Sequence, residues 1–336
     1  MPKWLKYTLM VVLMLPAGLV VSLLLAEALQ QAIGSFAPDR QVSEPFAIPL
    51  HGGIHRVSQA KDLYWELVPN LRDLFQGVSV ATNSRGFRDR DYGPRGAAAR
   101  VVVLGDSITF GAAVEQNQSY PEVLETLLNR WRPAEVVNCG VSGYNLVQYL
   151  VNYERKARAY DPDLVIVGFF GDDLLPPYVP QEKSIWLWLE LHSRLYQVIK
   201  FHLATVWPGR FSAQYFNVRQ STAAGFLRLE QQLNQWQAEG RQVLFVFHPE
   251  LSDGQQPGAS QVVTDVERVL AAHHVPYLEL AAVYRAHGPL SSFSTNPPVA
   301  NPHPNAAGHA LIAAAIDESL RAHPDWLVRK AVKRQD

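Results

Sequence analysis

From residue 100 onward, short apolar runs alternate with stretches whose apolar residues fall at helical spacing. Val101-Val102-Val103-Leu104 is one such run and predicts a buried strand over 100–104. Similar runs predict strands at 134–138, 164–169, 242–247 and 276–280. Ser119-Tyr120-Pro121-Glu122 has the form of a capping box with proline in the first turn, which predicts a helix from there to about Trp131. Helical spacing also predicts helices at 146–159, 223–236, 260–273 and 305–322. Strands alternating with helices imply a parallel sheet covered on both faces. The expected fold is therefore α/β: a three-layer, flavodoxin-like sandwich around a mainly parallel five-stranded sheet, spanning 100–325.

Four segments stand outside this alternation. Residues 7–26 carry no charge, and Lys3 and Lys6 precede them. Twenty residues at helical rise reach about 30 Å, the thickness of a bilayer core. Together with the positive-inside tendency, this predicts a single-pass anchor within residues 1–30 and a domain on the extracytoplasmic side. A cleaved signal peptide is the competitor, but its apolar region is shorter, about 7–15 residues, and ends in a small-x-small site that is not evident here. Residues 31–99 read as a stalk and N-terminal extension with scattered Pro and Gly. Residues 174–220, with Ile185-Trp186-Leu187-Trp188-Leu189, are too apolar for a solvated loop. They suit a lid, a membrane or partner surface, or an added pair of core helices. Residues 326–336 form a basic tail.

Composition narrows the function. The chain has 336 residues, 48% hydrophobic and 18% charged, as expected of a globular protein with a sizeable core and one greasy segment. Its formal net charge of −1 gives no reason to expect a nucleic-acid partner. The single cysteine, Cys139, excludes an intrachain disulfide and reads as a small buried hydrophobe. No cluster of ligands at metal-binding spacing is evident, and no cofactor is implied.

Candidate chemistry gathers just beyond the strand ends, where open α/β sheets bind ligands. Gly105-Asp106-Ser107 follows the first strand, and Ser107 is a candidate nucleophile needing a base and oxyanion donors from elsewhere. The run is Gly-x-Ser-x-Thr, unlike the Gly-x-Ser-x-Gly nucleophile elbow. Asn138-Cys139-Gly140-Val141-Ser142-Gly143-Tyr144 follows the second strand, Phe170-Gly171-Asp172-Asp173 the third, and His248 the fourth. Asn301-Pro302-His303-Pro304-Asn305-Ala306-Ala307-Gly308-His309 opens the last helix. Asp106, Asp173 and His248 share the rim with Ser107 and are candidate substrate-contacting residues. Asp172 with Asp173 as a metal pair lacks a nearby histidine or further carboxylate.

These blocks, in this order, resemble those of the GDSL/SGNH hydrolase family. Asn83-Ser84-Arg85-Gly86-Phe87-Arg88-Asp89 is similar to a stretch that precedes Gly-Asp-Ser in its membrane-anchored bacterial members. The resemblance implies an ester hydrolase or O-acyltransferase acting through an acyl-serine. It assigns Ser107 as nucleophile, His303 as base, and the backbone N–H groups of Ser107 and Gly143 to the oxyanion hole. Two positions depart from the pattern. The family places an oxyanion-donating asparagine where this chain has Asp172, and a carboxylate acceptor-only when ionised repels an oxyanion. The family's acid position, two or three residues before the base, holds Asn301 or Ala300 here. An asparagine orients an imidazole without stabilising its charge. The expected substrate is an acyl ester or an acetylated glycan of the cell envelope. The rival is a catalytically impaired, membrane-tethered binding protein of the same fold.

Overall fold

The computed structural model describes residues 22–26, 28–29, 53–58, 60, 63, 65–75, 77–171, 173, 193, 195–196, 222–251, 261–295 and 303–329. The chain divides into two units, Met1–Gly53 with Pro180–Phe216, and Ile54–Val179 with Asn217–Asp336. The first has few described residues, among them the helical stretches 22–26 and 28–29. The predicted anchor at 7–26 and insertion at 174–220 therefore lie largely outside the described residues. Among those described, no helix is long and apolar enough to cross a membrane. All that follows concerns the second unit.

Its N-terminal part, expected as an extension, forms two antiparallel hairpins. β1 (His55–Val57) pairs with β2 (Trp65–Leu67), and β3 (Arg72–Phe75) pairs with β4 (Val78–Ala81). Strands of three or four residues are too short for periodicity to announce. The central sheet is β5 (Ala99–Leu104), β6 (Ala134–Asn138), β7 (Leu164–Phe170), β8 (Gln242–His248) and β9 (Tyr277–Glu279). All neighbours are parallel, in the order β6-β5-β7-β8-β9. The chain thus runs outward from β5 to β6 and returns to β7 on the other side of β5. That reversal puts the crevice for ligands at the carboxyl ends of β5 and β7.

Seven helices are described in this unit: α1 (Ser107–Phe110), α2 (Tyr120–Leu128), α3 (Leu146–Arg155), α4 (Thr222–Ala238), α5 (Gln261–Ala272), α6 (Leu280–His287) and α7 (Ala306–Ala322). Both faces of the sheet are apolar, as parallel strands require. Val101, Val103, Val136, Ile166 and Val246 pack with Leu124 of α2, Tyr284 of α6 and Ile316 of α7. On the alternate positions, Val102, Val137, Val165 and Phe245 are equally buried. Tyr153 of α3 meets Trp236 of α4 edge to face, with ring centroids 5.1 Å apart.

Two sequence expectations need correction. Ser119 does precede α2, but its side chain caps nothing there; its hydroxyl donates to Gln116 O at 2.8 Å. A 3₁₀ turn over Gln116–Gln118 lies just upstream, and the capping box belongs to that turn, between Glu115 and Gln118. The helix expected over 146–159 ends at Arg155 and gives way to a 3₁₀ turn, Ala157–Tyr160. Between β9 and the last helix, where the sequence pattern predicts no element, lie α6 and a 3₁₀ turn, Leu290–Phe293.

Candidate active site

Ser107 is the first residue of α1, directly beyond the carboxyl end of β5. Asp106 caps this helix, its carboxylate accepting from Ile108 N at 2.8 Å. Gly111 ends the helix at φ 84°, a left-handed conformation that favours glycine. Gly105 lets β5 and α1 approach closely: a Cβ there would stand 1.9 Å from Thr109 Oγ1. The result is a half-buried serine held at the crevice by a one-turn helix.

The imidazole comes from the far end of the chain. His303 Nε2 lies 2.8 Å from Ser107 Oγ, across 196 residues of sequence. His303 is held by its own segment. Its carbonyl accepts from Thr295 N at 2.8 Å, and Pro304 bridges to Ser294. Asn305 caps α7 by accepting from Gly308 N at 3.0 Å. Its amide also donates to Ser292 O and Ser294 O, at 3.0 and 3.1 Å. With Nε2 facing the serine, any group that orients the ring acts at Nδ1.

The loop after β6 lies against α1. Val141 N donates to Gly105 O at 3.1 Å, and Gly140 N to Asn138 Oδ1 at 3.0 Å. A Cβ on Gly140 would stand 2.3 Å from Phe110 N, so only glycine allows this approach. Gly143 adopts φ 78°, with Trp65 of β2 over it, and Trp65 Nε1 donates to Ser142 O at 3.1 Å. Among the described residues, the N–H groups of Ser107 and Gly143 have no protein acceptor. A hydroxyl bonded to an imidazole, with open backbone donors nearby, is the arrangement acyl transfer requires.

A sequence model of the GDSL-like lipase/acylhydrolase family matches residues 103–311, well over half of the chain. The chain belongs to this family. No curated protein matches it. Among solved structures it is similar to TesA, at 17% identity, covering 66% of this chain and 98% of that one with a TM-score of 0.44. It is also similar to Axe2, an acetylxylan esterase from Geobacillus stearothermophilus, at 16% identity, with 70% and 99% coverage and a TM-score of 0.45. A lipase/acylhydrolase from Enterococcus faecalis is similar at 16% identity, with 67% and 96% coverage and a TM-score of 0.43.

The structure brings Ser107 and His303 together, and it gives Asp106, Asp173 and His248 structural partners. Asp106 serves as a helix cap. Asp173 is buried at the turn after β7, where its carboxylate accepts from Phe170 N at 2.6 Å and its carbonyl from Leu146 N at 2.9 Å. Those bonds tie β7 to the start of α3. His248 is buried rather than open on the groove, its ring centroid 5.7 Å from that of Tyr120. Burial pulls its pKa down to about 3, so it is neutral. Asp172 and Asn301 lie outside the described residues. Cys139 is buried, and burial pushes its thiol pKa up, as expected of an inert cysteine.

Beneath the nucleophile lies a buried layer not anticipated from sequence. Thr109 Oγ1 and Tyr120 OH share a hydrogen bond of 2.7 Å, and Tyr120 N donates to His309 Nδ1 at 3.2 Å. His309 therefore carries its proton on Nε2, and burial pulls its pKa down to about 3. Its ring stacks on Tyr120 at 6.1 Å, joining α7, which follows His303, to α2. The only sequence signal for this contact is the position of His309 in the same run as His303.

Proposed function

We propose that this carboxylic-ester hydrolase is tethered to a membrane through residues 7–26 and cleaves acyl esters of the cell envelope, lipid or acetylated glycan, on the extracytoplasmic side. The observation that carries the chemistry is the 2.8 Å separation of Ser107 Oγ and His303 Nε2. Ser107 attacks the ester carbonyl while His303 takes its proton. The tetrahedral oxyanion is met by the N–H groups of Ser107 and Gly143. It collapses as His303 returns the proton to the departing alcohol, leaving acyl-Ser107. Water, deprotonated by His303, then attacks the acyl group, and the reverse collapse frees the acid and Ser107. The half-buried serine supports a substrate that approaches the rim rather than one engulfed by the protein. The uncharged run at 7–26 supports the tether.

A second reading is an acyltransferase, or a binding protein of the same fold. The binding protein is favoured by Asp172 and Asn301, which stand where the family has a neutral donor and a carboxylate. The test uses the full-length protein in detergent with p-nitrophenyl acetate, beside Ser107→Ala. Hydrolysis by the first and none by the second is expected. Equal rates would leave the binding protein as the better account, and p-nitrophenol release only with a glycan acceptor present, the acyl group ending on the acceptor instead of as free acid, would favour the transferase.

A further inference from the structure

The turn Asn83–Asp89 takes no part in the site as described, yet Asn83, Arg88 and Asp89 are buried. Asn83 Oδ1 accepts from Arg85 N and Phe87 N, both at 3.0 Å, and its amide donates to Arg90 O at 3.0 Å. Gly86, at φ 73°, sits under Leu67, whose carbonyl a Cβ would approach to 2.6 Å. The turn is thus rigid, and it directs two successive side chains at two different loops.

Arg88 is fully buried and forms no ion pair among the described residues; its two Nη groups donate to backbone carbonyls. Nη1 donates to Phe110 O at 3.2 Å and Gly111 O at 2.6 Å. Nη2 donates to Ser79 O at 2.7 Å and Val114 O at 2.9 Å. Phe110 and Gly111 are the last residue and C-cap of α1, the helix that carries Ser107. A four-residue helix cannot hold itself together, and its final carbonyls have no partner within it. The guanidinium supplies those partners and ties the helix to β4.

Asp89 reaches the other loop. Its Oδ2 accepts from Asn138 N at 2.7 Å, and Asn138 Oδ1 in turn accepts from Gly140 N at 3.0 Å. Oδ1 accepts from Arg90 N at 2.7 Å, and Tyr92 OH, which donates to Val136 O at 2.7 Å, lies 3.1 Å from the Asp89 carboxyl group. Asp89 thereby fixes the residue from which the loop to Gly143 departs.

We propose that Arg88 and Asp89 are positioning residues of the ester-cleaving site: Arg88 holds the nucleophile helix, Asp89 holds the oxyanion loop, and their rigid turn sets the spacing between the two. The inference rests on the reading of Ser107 as nucleophile. Neither residue touches substrate, but an ångström of misplacement between nucleophile and oxyanion donors costs on the order of a hundredfold in rate.

The test follows burst and steady-state hydrolysis of p-nitrophenyl acetate by full-length protein in detergent, well below the thermal midpoint. The variants are Arg88→Lys, Asp89→Asn and Ser84→Ala. Lysine keeps the charge of Arg88 but cannot bridge four carbonyls. Arg88→Lys should lower kcat about tenfold or more with KM within about twofold. Asp89→Asn, nearly isosteric, should slow acylation and deacylation in parallel, because both pass through the same oxyanion. Ser84→Ala, which loses only an exposed bond to Asp91, should leave both steps unchanged. If Arg88→Lys does not fold, Asp89→Asn decides alone. A folded Asp89→Asn with wild-type kcat and KM, whatever its melting temperature, overturns the inference. A wild-type protein that hydrolyses the ester no faster than Ser107→Ala would instead remove the reading of Ser107, and this inference with it.

Discussion

Ser107 and His303 are already at hydrogen-bonding distance, 2.8 Å, so proton transfer needs no rearrangement of either residue. What this pair lacks, judged against its family, lies at two single positions. The family's pattern has a donor at the position this chain fills with Asp172, a side chain that only accepts when ionised. Restoring the donor by Asp172→Asn should raise kcat on p-nitrophenyl acetate, by up to about the 10²–10³ that one oxyanion donor contributes. A fall would assign the carboxylate a role of its own. Other residues were legible only in part. Ser107, Gly143 and His303 are announced by glycines and small polar residues at strand ends. Asp106 and Asp173 look the same in sequence, but they cap α1 and close the turn after β7. A carboxylate at a strand end suits substrate and backbone N–H groups equally, and sequence does not distinguish them. His248 shows a related ambiguity: it is the last residue of β8, paired with Phe170, and burial rather than rim position decides its environment.

At the scale of elements, the catalytic geometry depends on how α7 begins. Asn305 caps that helix and staples the preceding segment to the 3₁₀ turn at Leu290–Phe293, so it sets where His303 stands. Asn305→Ala should cost about 1 kcal/mol of stability as a lost cap. It should also lower kcat while KM holds, which denaturant unfolding and steady-state kinetics will separate. Wild-type kcat in a destabilised variant would show that the cap matters to the helix alone. The five strands of the central sheet were legible because parallel strands buried on both faces read as unbroken apolar runs. The hairpins β1–β4 and the one-turn α1 were not, since three or four residues give periodicity too little to act on. α6 was missed for another reason: Glu279 ends β9 and is also the N-cap of α6, so no turn signal separates strand from helix.

For the whole molecule, the buried histidines predict how it responds to acid. His55, His248 and His309 are pulled by burial to about 4, 3 and 3 from the usual 6.5. Below 6.5 the unfolded chain binds protons that the folded one refuses, so stability is full above that pH and falls beneath it. Asp89 works the other way. Burial raises its pKa to about 8, so the folded state holds the extra proton there, and its contribution fades as pH rises towards 8. Between pH 6.5 and 4 the three histidines, joined by the lowered carboxyls of Glu66, Asp161 and Glu239, oppose the raised carboxyls of Asp89, Glu122 and Glu267, with up to ~1.4 kcal/mol per pH unit for each histidine. The thermal midpoint should therefore drop from pH 7 to pH 5; a flat or rising midpoint contradicts this account of the core. The central claim, that folding makes Ser107 a nucleophile, is tested most directly by a fluorophosphonate probe. The native full-length protein should carry the label on the peptide containing Ser107 and lose it on prior heat denaturation and in the His303→Gln variant. A native protein that stays unlabelled, or labels elsewhere, contradicts the claim.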